Sequence, residues 1–331
     1  MAAAPHRAQR AGDVDESDGD ESLDYVVIVA AFVVVGLVFG PLPAALAFAF
    51  LALNPFARFD IIGGSLLRWD WVAAVLVGVA ALARGMGVTA GLFLGYAALA
   101  RLFPTLFLLP LAIKWLYGRL KGLPNVVVGR TLVAALGLGT VVLAGLAAWP
   151  ETRALFVEYV PRIARHAQTF SPNAVGLGPL IVFNTTTWSV GPDGYSYIAE
   201  EAARAARPAR WLLPLVTALC ALATLPLVVR ARAAESVMYA APLVFCLFAT
   251  SGYYYSFLVL LVLLPWCRSR ASAVSLIEMG FLTAVMVASE IFRLTTGDML
   301  TTFNAASIQL ALFFVLWLGC EYVRVGRDAA T

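Results

Sequence analysis

Charged residues are scarce in this sequence. Asp, Glu, Lys and Arg make up 13% of the 331 residues, whereas about 25% is usual in a soluble domain. Hydrophobic residues make up 61%, so a water-soluble fold of this size would lack the charge to cover its surface. The composition therefore excludes a soluble globule. The net charge of only +3, with no basic stripe, predicts no nucleic-acid partner.

Cysteines and catalytic motifs are also scarce. The four cysteines fall inside or at the ends of apolar stretches and lack the spacing of metal ligands, so we interpret them as small core residues: Cys220, Cys246, Cys267 and Cys320. The sequence holds no P-loop, no H-E-x-x-H and no G-x-S-x-G motif. This excludes an ATP-driven pump and leaves intramembrane hydrolysis without support.

What the sequence does have is a series of long apolar runs. A helix needs about 20 apolar residues to cross the roughly 30 Å of hydrocarbon in a bilayer. We therefore predict an all-α, polytopic transmembrane helix bundle of about ten or eleven helices, with the lipid bilayer as its partner. The runs lie at residues 25–40, 42–55, 70–84, 87–101, 103–117, 128–148, 209–229, 234–250, 252–267, 273–293 and 304–324.

The region around the first runs carries two further signals. Residues 1–24 hold seven acids and almost no apolar side chains. This predicts a disordered acidic tail ahead of a transmembrane domain over residues 25–331. Gly40, Pro41 and Pro43 then interrupt the apolar residues, and proline breaks the hydrogen-bond ladder of a helix interior. Residues 25–55 should therefore form two short helices rather than one.

Basic residues set the predicted orientation. Counting helix by helix, the connections at 118–127, 230–232 and 268–270 and the C-terminal end all fall on one side. The positive-inside rule makes that side cytoplasmic. We expect a multi-pass protein of the inner (plasma) membrane with a cytoplasmic C-terminus. The acidic tail and the long loop 149–208, which has an amphipathic segment typical of an interfacial helix, should then lie outside.

Unusual polar residues concentrate on the predicted external side. Asp60 lies in the connection before the third run, and Arg68 and Asp70 flank Trp69 just ahead of that run. One interpretation is an aromatic belt with an Arg–Asp pair that anchors the helix end. The other is a general base or metal-binding carboxylate held near an anionic lipid head group.

Three more external residues are candidates. Arg101 ends one run shortly before Pro104 opens the next, at a depth where a charge is costly and indicates a functional site. Its planar fork suits phosphate, although an arginine that snorkels to the interface fits the same position. His166 and Asn173 lie in the polar part of the loop 149–208. A lone histidine is more often structural than catalytic.

The residues from Leu53 to Trp115 resemble a known family of membrane enzymes. They resemble polytopic glycosyltransferases of the GT-C type, and in particular glycosyltransferase family 87, the polyprenol-phosphate-mannose-dependent mannosyltransferases and their bacterial relatives. Residues 166–177 are similar to the family's external loop, and the resemblance covers roughly residues 40–270. The motifs that carry it are Asn54-Pro55, the run Gly63-Gly64-Ser65-Leu66-Leu67-Arg68-Trp69-Asp70-Trp71, and the stretch from Gly91 through Arg101-Leu102-Phe103-Pro104 to Pro110.

The resemblance implies a reaction and roles for these residues. Such enzymes transfer a sugar with inversion, outside the membrane, from a polyprenyl-phosphate donor to a lipid or glycan acceptor. Asp70 or Asp60 would be the carboxylate that deprotonates the acceptor hydroxyl. A cation would stabilise the leaving phosphate, and a divalent cation stays open as a cofactor. The residues implied to bind the lipid phosphate or the sugar are Arg68, Arg101, His166 and Asn173.

One departure from the family keeps two other interpretations open. The family carries its catalytic acid in a first external loop after a first transmembrane helix, which this chain is expected to lack. The acids of the tail have no apolar context to fix them in a site. The chain would then be a non-catalytic or truncated membrane protein of the same fold. Alternatively, it would be a transporter of lipid-linked sugars, for which Glu278 is the only acid predicted within the bilayer.

Overall fold

The computed structural model describes residues 18–55, 69–153, 158, 174–185, 211–247, 250–268, 273–296 and 299–330. Almost all of these residues are helical, so the chain is all-α, as predicted. The helices are α1 (Asp18–Phe39), α2 (Pro41–Leu53), α3 (Asp70–Ala83), α4 (Gly87–Ala100), α5 (Leu109–Leu120), α6 (Val126–Ala148), α7 (Leu177–Thr185), α8 (Leu212–Arg230), α9 (Ala233–Met238), α10 (Ala241–Leu247), α11 (Val259–Cys267), α12 (Ala273–Thr296) and α13 (Met299–Ala330). Two 3-10 helices, Phe103–Phe107 and Gly252–Leu258, and two short strands, β1 (Ala174–Val175) and β2 (Thr250–Ser251), complete the described elements.

Several helices are suited to a membrane. Within the described ranges, four segments are long and apolar enough to cross one: Val126–Ala148, Leu212–Arg230, Ala273–Thr296 and Leu300–Arg327. Large apolar side chains lie exposed along them, as on Val133, Leu136 and Leu222. Such a surface suits hydrocarbon rather than water. On these grounds the chain is a membrane protein.

Residues 25–55 form two helices, which confirms the prediction drawn from the prolines. α1 ends at Phe39, Gly40 has a φ of 100°, and Pro41 begins α2. Glycine adopts such a positive φ without steric cost, and proline fits the first turn of a helix.

The predicted end of the disordered tail was wrong. α1 begins at Asp18, so residues 18–24 are helical, and the Asp24 side chain is buried. The cause is a contact from another part of the chain, since Asp24 accepts a hydrogen bond from the backbone of Trp69. Residues 1–17 lie outside the described residues.

α1 and α3 run parallel, which defines the two ends of the bundle. At one end the backbone N–H of Trp69 donates to Oδ1 of Asp24 over 3.3 Å. At the other, Nη2 of Arg84 donates to the carbonyl of Leu37 over 2.7 Å. We call these the Asp70 end and the Arg84 end. The start of α1 therefore lies at the same end as Asp70.

The basic connections meet at the Arg84 end. Gly87, at the start of α4, lies against Val127, which places the 118–127 connection there. Lys114 donates to the carbonyl of Val229 over 3.0 Å and so joins α5 to the end of α8. Arg268 and Arg324 bind the same two glutamates, one of which lies on α9. The expectation that these connections share one side agrees with these contacts.

A glycine stripe lets α4 and α6 approach closely. Gly87, Gly91 and Gly95 recur every four residues and therefore share one face of α4. A Cβ at Gly91 would collide with the carbonyl oxygen of Thr131, and one at Gly95 would lie 3.0 Å from Cα of Ala135. In lipid, such small-residue contacts supply van der Waals packing that the hydrophobic effect does not.

The middle of the long loop docks at the Asp70 end. β1 pairs antiparallel with β2, with Ala174 opposite Ser251. The Tyr255 hydroxyl donates to the carbonyl of Val175 over 3.4 Å, and the amide of Gly176 donates to Oγ of Ser307 over 3.3 Å. Residues 174–176 are thus fixed beside the corner at 250–258.

Candidate functional site

Asp70 begins α3 and lies buried among aromatic rings. Its carboxylate is at a helix N-terminus, where the backbone dipole favours negative charge. Oδ2 accepts a hydrogen bond of 2.7 Å from the hydroxyl of Tyr96 on α4. Oδ1 has no hydrogen-bond partner among the residues that the structure describes, and the residue is only 8% exposed. This oxygen keeps its full capacity to accept a proton or a hydrogen bond from a bound molecule.

The aromatic residues beside Asp70 do not form an interfacial belt. Trp71 is fully buried, and its ring centroid lies 4.8 Å from that of Phe103 and 6.1 Å from that of Tyr254. The ring centroids of Phe103 and Tyr254 lie 5.0 Å apart. Belt residues face the lipid head groups, whereas Trp71 packs inside the bundle. Its burial fixes the first turn of α3 and hence the position of Asp70.

Arg101 lies at the same end as Asp70. It follows α4 directly, five residues after Tyr96, or about 7.5 Å along a helix. Its guanidinium is close enough to the Tyr96 hydroxyl for an electrostatic interaction. Nη1 donates only to the adjacent carbonyl of Ala100, over 3.0 Å, and no ion pair joins Arg101 to a carboxylate within the described ranges. The guanidinium therefore keeps its charge and most of its donors for an anion.

Buried polar atoms without a partner concentrate around these residues. In the described part of the chain, Nε1 of Trp71, Nε of Arg101 and Oγ of Ser256 lack a hydrogen bond, as does Oδ1 of Asp70. Each such atom costs free energy unless a further group binds it. Donors and acceptors are both present, which suits a ligand that carries hydroxyls and an anionic group.

Two residues at this end were missed or undervalued by sequence reasoning. Asp24 is 2% exposed and lies against the first turn of α3, although the tail acids had been set aside. Its position directly before the apolar residues from Tyr25 onward was the available signal. Tyr96 was missed because a tyrosine within an apolar run has no distinctive pattern. Asn54, which is part of the resemblance, is buried and donates to the carbonyl of Tyr255 over 3.5 Å.

No observation places the remaining predicted site residues at this site. They lie outside the described residues: Asp60, Arg68, His166 and Asn173. Among the described residues, no three His, Cys, Asp or Glu side chains come together as metal ligands. The described residues therefore supply no ligand set for the divalent cation that the sequence left open.

A second polar cluster lies at the Arg84 end. Arg268 is almost fully buried, and its guanidinium donates to Glu235 over 3.2 Å, to Glu278 over 2.9 Å and to Glu321. Arg324 donates to Glu235 over 2.7 Å and to Glu321 over 2.8 Å. We call these five residues the ion cluster. Its members come from α9, α12, α13 and the residue after α11.

The ion cluster changes the interpretation of two residues. Glu278 had no partner evident from the sequence, but it pairs with Arg268, which removes the isolated acid that a transport pathway would need. Arg268 was expected in a basic cytoplasmic connection. It is buried there because the glutamates of three helices surround it. Buried charges of both signs compensate one another, so the cluster is typical of structural linkage between helices.

Comparisons with known proteins found no relative of this chain. No family model, no curated protein and no solved structure matches the chain. The likeness to GT-C glycosyltransferases thus rests on the motifs quoted from the sequence, and the function is inferred from the geometry around Asp70.

Proposed function

We propose that the chain is a membrane glycosyltransferase of GT-C type. It would transfer a sugar, mannose in the first instance, from a polyprenyl-phosphate donor to a lipid or glycan acceptor. The observation that carries this proposal is the arrangement of Asp70, Tyr96 and Arg101. A buried carboxylate with an unpartnered oxygen and an arginine without an acidic partner in the described residues lie at one end of the bundle, and Tyr96 interacts with both.

Asp70 is the general base in this proposal. Its unpartnered Oδ1 takes the proton of the acceptor hydroxyl while the acceptor oxygen bonds to the anomeric carbon of the donor. The bond from that carbon to the phosphate oxygen breaks, and its electron pair leaves with the phosphate. The carboxylate ends protonated, and the anomeric configuration inverts. The Tyr96 hydroxyl holds Oδ2 and so fixes which oxygen faces the acceptor.

Arg101 stabilises the leaving group. The phosphate gains negative charge as the glycosidic bond breaks, and a guanidinium donates to its oxygens in a bidentate manner. Arg101 suits this role because it is not neutralised by a carboxylate in the described part of the chain. Asp24 contributes a second negative charge near the start of α3, where it orients the backbone that carries Asp70.

The proposed site faces the outside of the membrane. Support comes from the gathering of the basic connections at the Arg84 end, which the positive-inside rule assigns to the cytoplasm. The C-terminus belongs to that end, since Arg324 contributes to the ion cluster there. The Asp70 end would then meet donor lipids in the outer leaflet of the inner membrane.

The direct test is sugar transfer by membranes that contain the protein. Asp70→Asn should lower the rate of transfer from a labelled polyprenyl-phosphate sugar by about a hundredfold or more, since it removes the base. Arg101→Gln should lower it by about a hundredfold through loss of the charge on the leaving group. Matched controls are Glu151→Gln and Arg153→Gln, which change an exposed acid and an exposed arginine just after the end of α6.

The outcomes separate the proposal from its alternatives. Both controls should keep the parent rate. Full activity of Asp70→Asn would contradict the role of the base. If the parent transfers no sugar from any polyprenyl-phosphate donor, but complements a deletion strain together with both variants, a non-catalytic membrane protein is the correct interpretation.

A further inference from the structure

An apolar groove runs between α5 and α6, from Thr105 and Leu106 in the 3-10 helix after Arg101 to Arg119 at the Arg84 end. It encloses about 1130 Å³ between α5 and α6, with the start of α4 along one side. Its walls are almost entirely apolar, and include Leu109, Ala112, Leu132 and Leu136. Because the outer face of α6 is exposed along most of its length, the groove opens toward lipid.

Two arginines lie at one end of this groove. Arg119 at the end of α5 and Arg130 in the first turns of α6 both line it. Arg119 lies over the ring of Trp115, with 5.3 Å between the guanidinium carbon and the ring centroid. Neither arginine has a carboxylate partner among the residues whose positions are given. The groove thus combines an apolar trough with two uncompensated positive charges at one end.

The groove is long enough for the acyl chain of a lipid in one leaflet. Thr105 and Leu106 line its far end, and the part along α5, from Leu109 to Arg119, is about 15 Å long at about 1.5 Å per residue. That distance is half of the roughly 30 Å hydrocarbon core of a bilayer. The arginines flank the 118–127 connection at the Arg84 end, so they lie at the level of the head groups of the leaflet on that side.

We propose that this groove binds one anionic diacyl phospholipid of the leaflet at the Arg84 end. An acyl chain lies in the apolar trough, and the phosphodiester accepts hydrogen bonds from Arg119 and Arg130. The charges select the lipid, because a zwitterionic head group carries its own cation and gains less from two arginines. This site is separate from the one around Asp70 and does not depend on sugar transfer.

Native mass spectrometry of the full chain in neutral detergent tests the proposal, with dioleoyl phosphatidylglycerol and dioleoyl phosphatidylcholine as probes. The parent should bind the first phosphatidylglycerol at least about tenfold more tightly than phosphatidylcholine. The double variant Arg119→Gln/Arg130→Gln should lose that preference. Arg119→Lys/Arg130→Lys should keep most of it. Arg230→Gln, an exposed arginine in another turn at the same end, should leave it unchanged.

A second variant tests the trough with the arginines in place. Ala112→Trp fills the middle of the groove and should weaken binding of both lipids, while far-ultraviolet circular dichroism and elution volume confirm the fold. Equal binding of the two lipids by the parent, or an unchanged preference in the glutamine double variant, would overturn the proposal. Displacement of phosphatidylglycerol by stoichiometric polyprenyl phosphate, or a dimer that the Ala112→Trp change dissociates, would assign the groove to those occupants instead.

Discussion

The hydroxyl of Tyr96 donates a 2.7 Å hydrogen bond to Oδ2 of Asp70 across the hairpin of α3 and α4. This single contact orients a buried carboxylate at a helix N-terminus and leaves its other oxygen unpartnered. It also connects Asp70 to the vicinity of Arg101, which follows the same helix as Tyr96. The contact is therefore the most direct place to test the proposed site.

Tyr96→Phe should lower the rate of sugar transfer by about tenfold, because a hydrogen bond to a charged group contributes about 1.5–3 kcal/mol. Asp70 itself remains, so the loss should be smaller than in Asp70→Asn. The measurement is the initial rate with a labelled polyprenyl-phosphate sugar. Tyr117→Phe, an exposed tyrosine on α5, is the matched control and should have no effect. A parental rate in Tyr96→Phe would mean that the hydroxyl does not position the base.

The orientation of the bundle predicts which cysteines an impermeant reagent reaches. In a background without the four native cysteines, Arg153→Cys, five residues after the end of α6, should react in intact cells if the Asp70 end faces outside as proposed. Lys121→Cys, in the connection before α6, should react only after the membrane is permeabilised. Both positions are exposed on the protein, so a difference in reaction would reflect the side of the membrane rather than burial. The reverse pattern would place the Asp70 end in the cytoplasm and exclude an external site.

Arg268→Met should strongly destabilise the protein. The side chain of Arg268 is 2% exposed, and its removal leaves buried glutamates with less compensating charge. Breaking such a buried pair costs about 3–5 kcal/mol. The control is Arg293→Met, whose partner is Glu290 and whose side chain is 28% exposed. A pair at the surface, even a partly exposed one, contributes about 0–1 kcal/mol. Thermal unfolding in detergent compares the two, and an equal loss would show that the ion cluster does not link the helices.

Gly91→Leu should separate α4 from α6. The added side chain would meet the Thr131 carbonyl and the Ala134 methyl group in a contact that has no free space. Overpacking of this kind costs about 1–3 kcal/mol or more. Gly137→Leu is the matched control on α6, because nothing lies within 4 Å of its Cβ position. That change should be neutral or slightly stabilising, since leucine favours a helix over glycine by about 1 kcal/mol. Equal unfolding temperatures for the two variants would contradict the close approach of the helices.

The fold was more predictable than the site. The helical class and the break between α1 and α2 follow from apolar length and from Gly40-Pro41, which act locally. The boundary of the acidic tail was wrong, because a distant backbone group, the amide of Trp69, fixes Asp24. At the site, Asp70 and Arg101 could be chosen from the sequence, since a charge beside long apolar runs is conspicuous there.

Tyr96 and the ion cluster could not be chosen in this way. A single tyrosine in an apolar helix has no pattern, and Glu278 and Arg268 seemed to have separate roles until their contact was known. Glu235, which joins both arginines of the cluster, carries no motif at all. Such partners are separated widely along the chain, so local periodicity holds no information on them.

The sequence by itself determined that this chain is helical and suited to a membrane, because the cost of leaving backbone polar groups and charges in hydrocarbon depends on composition and run length alone. It also determined where the basic connections lie along the chain. Only the tertiary structure decided which charges are paired and which are free. It joined Glu278 to Arg268 and left Arg101 without an acidic partner in the described residues. Those relationships depend on which helix faces pack together, and packing between distant segments is settled by shape and hydrogen bonding in three dimensions.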